Sequence, residues 1–355
     1  MPTKRTLRIF GVKKRKSMKS KIRYDKKKYN KKKVFVIAEA GVAHFGSIKK
    51  AKKLVDLAHE SGADAVKFQA YVTEDLIHFK FKEWFQRYKS KEVGYNFYKI
   101  VKEYCDIRGI EFMLTPHTES VLNWVKKLKC KKIKIGSGEL GNFSFIQKII
   151  SLKKPIILST GMYNFQDLRK IKKFFLAKKF NNITFLKCRT SYPTKDNEVN
   201  LLNFIKFKNF FKEYNVGYSD HTNHDLAIYG SVFLGAKIVE KHISLDFNLK
   251  NSQDWKVSFD KLKLKKMVQN IRRIEKIMGD ENAFITKSEK KSKEWATRSI
   301  FSSEKILKGS KFSRSNLKTL RPGLGISSEN IDKIIGKKAK NNIGENNLIK
   351  FSDYE

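Results

Sequence analysis

From Val34 onward, short apolar runs alternate with longer stretches of amphipathic pattern. The runs are VFVIAEA (34–40), AVKFQA (65–70), EFMLT (111–115), KIKIG (132–136), PIILST (155–160), ITFLKC (183–188), VGYSD (216–220) and KIVEKH (237–242). Each precedes a segment with helical spacing of apolar positions: 47–60, 83–108, 119–128, 143–152, 165–179, 201–213, 225–234 and 259–279. Near-continuous apolar strands belong to a parallel sheet covered on both faces. Eight such units in about 250 residues predict an α/β fold of the (β/α)8 TIM-barrel type, with an open doubly wound sheet as the alternative. After residue 283 the pattern changes. A polar, Lys-rich linker (284–295) leads into 296–355, where Gly309, Gly323, Gly325, Gly336 and Gly344 punctuate short strands at turn spacing. This predicts a small, mostly-β second domain after a barrel spanning 34–283.

A barrel of this kind keeps its chemistry at the carboxyl ends of its strands. Polar residues do collect there. Glu39 closes the first run, Lys67 and Gln69 the second, and Thr115 and His117 the third. Lys134, Ser137 and Glu139 follow the fourth, Ser159 the fifth, and Thr190 and Tyr192 the sixth. Ser219, Asp220 and His221 end the seventh, and Glu240 and His242 the eighth, while the strand starts show nothing comparable.

Composition narrows the class. In 355 residues, 40% are hydrophobic, too many for a mainly disordered chain. No run approaches the roughly 18 apolar residues of a membrane span, and no apolar stretch follows the basic start to make a secretory signal. Three cysteines do not make a disulfide scaffold. A cytoplasmic enzyme is the expectation. The formal charge of +42 adds one complication. Residues 1–33 hold 16 Lys/Arg and one acid, Asp25, without apolar periodicity. That tail reads either as solvated leader or as an electrostatic arm for nucleic acid or an anionic membrane.

Several constellations carry chemistry. His221 and His242 end neighbouring strands, so their imidazoles can converge on one divalent ion acting as Lewis acid, or stand there as unrelated polar residues. His224 is expected at the start of the next helix, facing solvent. Lys67 and Lys134, ringed by Thr115, Ser137, Ser159, Thr190 and Ser219, suit a phosphate or carboxylate. Glu39 and Glu139 are carboxylates beside those lysines, for proton transfer or for structural ion pairs. GSGELG (136–141) matches a dinucleotide fingerprint, but the next strand ends Ser159-Thr160-Gly161, without the acid that binds ribose; a nicotinamide cofactor is rejected. Cys188 has no histidine obviously placed to activate it and reads as buried filler.

The motifs IAEAGVAHFG (37–46), VKFQ (66–69), KIGSGE (134–139), ILSTGM (157–162), YPT (192–194), YSDHT (218–222) and EKH (240–242) occur in this order. Together they resemble the sialic acid (N-acetylneuraminate) synthase family, with its legionaminate and pseudaminate relatives. The segment 298–354, with LRPGLG and IIGKKA, is similar to the antifreeze-like SAF domain at their C-terminus. The resemblance implies a condensation of phosphoenolpyruvate with an open-chain N-acyl amino sugar, giving a nine-carbon 2-keto acid and phosphate by C–O cleavage. It implies a divalent ion, Mn2+ first and Mg2+ or Co2+ as alternatives, on His221 and His242. It assigns Lys67, Thr115, Lys134, Ser137, Ser159, Thr190 and Ser219 to phosphoenolpyruvate. Gln69, Glu139, Tyr192 and Asp254 would face the sugar, with Arg321 reaching its acyl end across a domain-swapped homodimer. Glu39, Lys67 and Glu139 would be catalytic, Glu39 doing proton work or orienting water. Three departures stand out: Ala43 where the family carries Asn, Thr190 where Ser or Asn is usual, and NSQDW (251–255) where relatives often show Gly-Pro-Asp. Two rival readings stay open: a phosphoenolpyruvate-condensing enzyme for another aldehyde, and a catalytically impaired homologue whose basic tail binds nucleic acid.

Overall fold

The structure, a computed structural model, describes residues 33–248, 252–279 and 284–355. The basic tail expected over 1–33 therefore lies, apart from Lys33, outside the described residues. The chain divides into two compact units, Met1–Gly279 and Asp280–Glu355. Among the described residues no helix is long and apolar enough to cross a membrane.

The first unit is a closed parallel barrel in sequential order. Its strands are β1 (Phe35–Gly41), β2 (Ala65–Ala70), β3 (Glu111–Pro116), β4 (Ile133–Ile135), β5 (Ile156–Ser159), β6 (Ile183–Cys188), β7 (Asn215–Asp220) and β8 (Ile238–His242). Each apolar run is buried on both sides because its outward residues pack under helices and its inward residues fill the cylinder. The helices form where amphipathic pattern meets a cap: Ser47 accepts from Lys50 N–H to start Ile48–Glu60, and Asp260 accepts from Lys263 N–H to start Lys261–Ile277. The helical stretch expected over 83–108 is two helices, Lys82–Lys89 and Tyr95–Arg108. The break falls at 90–94, where Gly94 in extended backbone becomes the N-cap of the second helix.

The second unit pairs β9 (Ser299–Ser302) with β10 (Leu317–Leu320), antiparallel. Its core is a cluster around Ile300, Ile306, Phe312, Leu317, Ile334 and Ile349. The polar stretch read as a linker carries a helix, Lys287–Ala296. The signal is a capping box: Thr286 caps the Glu289 N–H, and the Glu289 carboxylate accepts from the Thr286 N–H at 2.8 Å.

Candidate active site at the barrel mouth

Side chains alternate along a strand, so parity decides what enters the cylinder. Ile37, Ala65, Met113, Ile157, Leu186 and Ile238 form one buried apolar layer inside it. Two residues further along the same strands stand Glu39, Lys67, Thr115, Ser159, Cys188 and Glu240, and these line a cavity of about 310 Å³. The apolar layer is the floor and the polar layer the chemistry. On β7 the lower inward position is Gly217, where an added Cβ would lie 2.3 Å from the Ile238 carbonyl oxygen. Ser219 follows it into the polar layer.

The polar layer is an alternating ion network. Lys67 Nζ lies 2.5 Å from Glu39 Oε2, 3.1 Å from Thr115 Oγ1 and 3.6 Å from Glu240 Oε2. Lys134 Nζ donates to Ser159 Oγ at 2.7 Å and to the Ile135 carbonyl at 3.0 Å, with Glu240 Oε1 at 3.8 Å. Glu240 Oε1 accepts from Ser219 at 3.0 Å, and Glu39 Oε1 accepts from Gln69 at 2.8 Å. All four charged groups are buried. Burial alone would neutralise them, and the neighbours decide otherwise. Burial works against Lys67, but two carboxylates raise its pKa. Burial works against Glu240 too, yet Lys134 and Lys67 hold it down at about 2. At Glu39 burial prevails and its pKa rises; at Lys134 burial prevails and its pKa falls. Two carboxylates a few ångströms from one ammonium are thus split into an ionised one and one suited to carry a proton.

Next to this network the two histidines come together, ring centres 5.2 Å apart. His221 Nδ1 donates to the Arg189 carbonyl, which leaves Nε2 toward the Tyr192 hydroxyl at 3.0 Å. That is the orienting hydrogen bond a metal-binding imidazole needs. His242 is buried, and burial lowers its pKa to about 4, so it is the neutral, lone-pair-bearing form at working pH. Asp254 Oδ2 lies 3.8 Å from its Nδ1. Burial also opposes charge on His221, but Cys188 Sγ, 3.6 Å from Nδ1, raises its pKa to about 9, so a metal ion held by this ring would displace a proton on binding. The same contact lowers the thiol's pKa against its burial. Cys188 is buried, as expected, but the sequence expectation that no histidine stands near it is corrected: His221 of the neighbouring strand lies 3.6 Å from its Sγ. Among the described residues no third His, Cys, Asp or Glu completes a metal-holding cluster. The donor set is two imidazoles, beside a network whose Glu240 Oε2 is buried without a hydrogen-bond partner. It fits a divalent ion held with open positions.

The remaining expected residues divide. Thr190, Ser137, Tyr192 and Asp254 line the cavity. Ser137 Oγ accepts from Gly161 N–H at 2.9 Å, and a Cβ on Gly161 would sit 2.1 Å from Thr190 Oγ1, so that glycine lets two strand ends close up. Glu139 is buried but does not line the cavity; Asn142 donates to it at 2.8 Å, and it faces His117 at 3.8 Å. His224 is half-buried and pairs with Asp196 at 2.7 Å, away from the histidine pair. Arg321 belongs to the second unit, its guanidinium 5.9 Å from the centre of the Trp295 ring. Sequence reading gave no role to Glu240, although it shares a strand face with His242 and parity sends both inward. It also missed Trp84, Arg87, Tyr88 and Lys91, which reach the cavity from the segment after β2.

Comparison with known proteins follows the same lines. The chain matches the NeuB family over residues 54–283 and the SAF domain over 297–355. It is 37% identical to the N,N'-diacetyllegionaminic acid synthase of Campylobacter jejuni over 90% of this chain and 99% of that one. It is 34% identical to a pseudaminic acid synthase of Campylobacter jejuni, over 91% of this chain and 97% of the relative. The crystal structure of the N-acetylneuraminic acid synthetase of Leptospira borgpetersenii, in complex with citrate, superposes with a TM-score of 0.69 at 31% identity, covering 74% of this chain and 90% of that one.

Proposed function

The chain belongs to the NeuB family, and from that premise we propose that it is a nonulosonate synthase. It condenses phosphoenolpyruvate with an open-chain N-acyl amino sugar, releasing phosphate by C–O cleavage and forming a 2-keto acid. The observation that carries this reading is the buried Glu39–Lys67–Glu240–Lys134 network beside the His221–His242 pair, in one cavity.

Lys67 and Lys134, with Thr115, Ser137, Ser159, Thr190 and Ser219, would hold the phosphate and carboxylate of phosphoenolpyruvate. Lys67 stays cationic because Glu39 and Glu240 flank it, so the enol ester docks against a fixed charge rather than inducing one. Bond formation runs from C3 of phosphoenolpyruvate to the aldehyde carbon. Positive charge develops at C2 and an oxyanion at the former aldehyde oxygen; water then adds at C2 and the phosphate leaves with its bridging oxygen. Glu39, held by Gln69 and Lys67, would take the proton from that water. Glu240 stays ionised and stabilises charge at Lys67 and Lys134. Family members are metal-dependent. Here His221 and His242 would hold the divalent ion, Mn2+ before Mg2+ or Co2+, and when bound it supplies Lewis-acid polarisation of the aldehyde. Tyr192, Asp254 and Gln69 would orient the sugar. Glu139 supports the wall through His117. Arg321 would reach the acyl group within a domain-swapped homodimer, so Arg321→Ala is expected to raise the KM for the sugar and leave that for phosphoenolpyruvate.

The decisive experiment mixes the protein with phosphoenolpyruvate, Mn2+ and a panel of N-acylated hexoses. A product of the mass of sugar plus three carbons, with one phosphate released per turnover, is expected. Absence of phosphate release across the panel refutes the reading.

A further inference from the structure

His117 closes β3, lines the cavity, and has no task in the condensation as derived so far. Parity along the strands gives its depth. Above the apolar floor and the lysine–carboxylate layer, two residues further again, β2, β3, β6, β7 and β8 bring Gln69, His117, Thr190, His221 and His242 to the cavity. His117 therefore stands at the same step as the histidine pair. In a closed barrel of eight sequential strands, β3 lies across from β7. An acceptor whose aldehyde meets His221 and His242 thus has His117 on the other side of the mouth, facing the rest of its chain.

The backbone under this ring is fixed. His117 N–H donates to the Ala70 carbonyl at 2.9 Å, carrying the β2–β3 ladder one residue beyond the strand, and Val72 N–H donates to Thr118 Oγ1 at 3.4 Å. The ring lies against the end of β4, where a Cβ on Gly136 would touch His117 Cε1 at 3.4 Å. Behind it Glu139 Oε1 is 3.8 Å from Nδ1, and Asn142 donates to the other carboxylate oxygen at 2.8 Å. Glu139 is buried away from the cavity, whereas the His117 side chain is 23% exposed into it. Among the described residues no hydrogen bond takes up either ring nitrogen. A carboxylate behind an imidazole draws Nδ1–H toward itself and leaves Nε2 as a lone pair for a ligand. A contact of this length in an empty site closes to a hydrogen bond when substrate fills it.

We propose that His117 is a specificity-determining residue whose Nε2 accepts a hydrogen bond from a hydroxyl of the acceptor sugar beyond its aldehyde, and that Glu139 is the positioning residue that fixes the ring's tautomer. The inference rests on the synthase reading and adds the residue by which that site reads its acceptor. Two arguments give the ring to the sugar rather than to phosphoenolpyruvate. Lys67, Thr115, Ser159 and Ser219, which suit the anionic substrate, stand one layer lower. A bare imidazole lone pair also repels a phosphate or a carboxylate, while it suits a hydroxyl donor.

The test uses the full chain with phosphoenolpyruvate and Mn2+, and takes forward whichever of N-acetylmannosamine and a diacetamido-trideoxyhexose is turned over faster. His117→Phe keeps a flat ring and loses the acceptor; it is expected to raise the KM for that sugar about 10-fold, the worth of one hydrogen bond left unmade. The KM for phosphoenolpyruvate should stay within about twofold, and His117→Gln should recover part of the loss. Glu139→Gln is expected to raise the KM for the sugar on its own and to add nothing in the His117→Phe background, a coupling that a merely structural carboxylate does not produce. An unchanged KM for the sugar in His117→Phe overturns the inference. So does a raised KM for phosphoenolpyruvate, which gives the ring to the other substrate. Additive effects of the two substitutions overturn the role of Glu139. Each of these leaves the synthase reading standing, whereas unmodified protein that yields no product with either sugar removes that reading and the inference together. Should His117→Phe fail to fold, His117→Asn, too short to reach the same hydroxyl, takes its place with the same expected outcomes.

Discussion

Two buried lysines on this barrel make an instructive pair. Lys67 on β2 points into the cylinder, and Lys241 on β8 points out toward the helices. Both are desolvated, and both lie 2.5 Å from a carboxylate, Glu39 in one case and Asp220 in the other. Their surroundings differ. Lys241 spends its ammonium entirely on protein: Asp220 Oδ2, the Thr222 carbonyl at 2.6 Å and the His224 carbonyl at 3.2 Å. Phe259 covers it at 4.5 Å. Lys67 faces a cavity lined by polar side chains, although each lysine has beside it a carboxylate oxygen without a hydrogen-bond partner, Glu240 Oε2 in one case and Asp220 Oδ1 in the other. Burial and a salt bridge are common to both, so neither marks a catalytic group. What separates them is a charge network left open toward a space that a ligand can enter.

The sharpest way to break this contrast is to remove both ammonium groups. Lys67→Met is expected to cut kcat/KM by about 10³-fold or more, since it removes charge that acts on the reacting substrate. Lys241→Met should leave the kcat/KM of folded protein within a few-fold, but cost about 3–5 kcal/mol of stability, because Asp220 stays buried without its partner. Initial rates and urea titrations on the two variants check this. A Lys241 variant that is stable but inactive would erase the distinction.

A second comparison is between buried histidines, and its effect is nearly as large. His44 is fully buried, packed 4.6 Å from the Phe97 ring centre, and burial holds its pKa at about 4. Its Nδ1 accepts from Gly46 N–H at 3.0 Å, and its other ring nitrogen has no partner. The folded protein therefore binds fewer protons than the unfolded chain between about pH 4 and 6.5. Stability is fully present above the unfolded pKa and falls as pH drops through that window, by about 3 kcal/mol from this residue. His44→Gln, whose side chain takes up no proton, should flatten that part of the profile of midpoint against pH. An unchanged slope would show that His44 is already protonated in the fold.

How far the sequence disclosed all this depends on which regularity places a residue. The strand ends were legible because a parallel strand has period two and a barrel has one inside. Glu39, Lys67, Thr115, Ser159, Ser219 and His242 follow from apolar runs and parity alone. Pairings across the cylinder were not legible: that Glu240 joins two lysines, or that Cys188 meets His221, depends on register between strands distant in sequence. The approach of Trp84, Arg87, Tyr88 and Lys91 to the cavity was hidden for another reason: they stand on a separate helix, Lys82–Lys89, and the turn after it, and no apolar pattern says that such an excursion after β2 folds back over the barrel mouth. Asp254 sits in a short turn, Asp254–Val257, where no periodicity applies at all.

The finest test uses two hydroxyls, one on each side of the sheet. Ser219 donates to Glu240 Oε1 at 3.0 Å inside the barrel, and Thr222 donates to Asp220 Oδ2 at 2.9 Å outside it. Each bond to a buried carboxylate is worth about 1.5–3 kcal/mol. For Ser219→Ala that energy is expected to surface in function. Glu240 loses a donor, the position of Lys134 relaxes, and the KM for phosphoenolpyruvate rises about 10-fold with little change in melting temperature. For Thr222→Val the same energy surfaces in folding, as a loss of stability at unchanged KM. Initial-rate kinetics and thermal melts on the two proteins separate the cases. Should both variants lose stability alike and keep their kinetics, the inner network would be scaffold like the outer one, and the open carboxylate would lose its meaning.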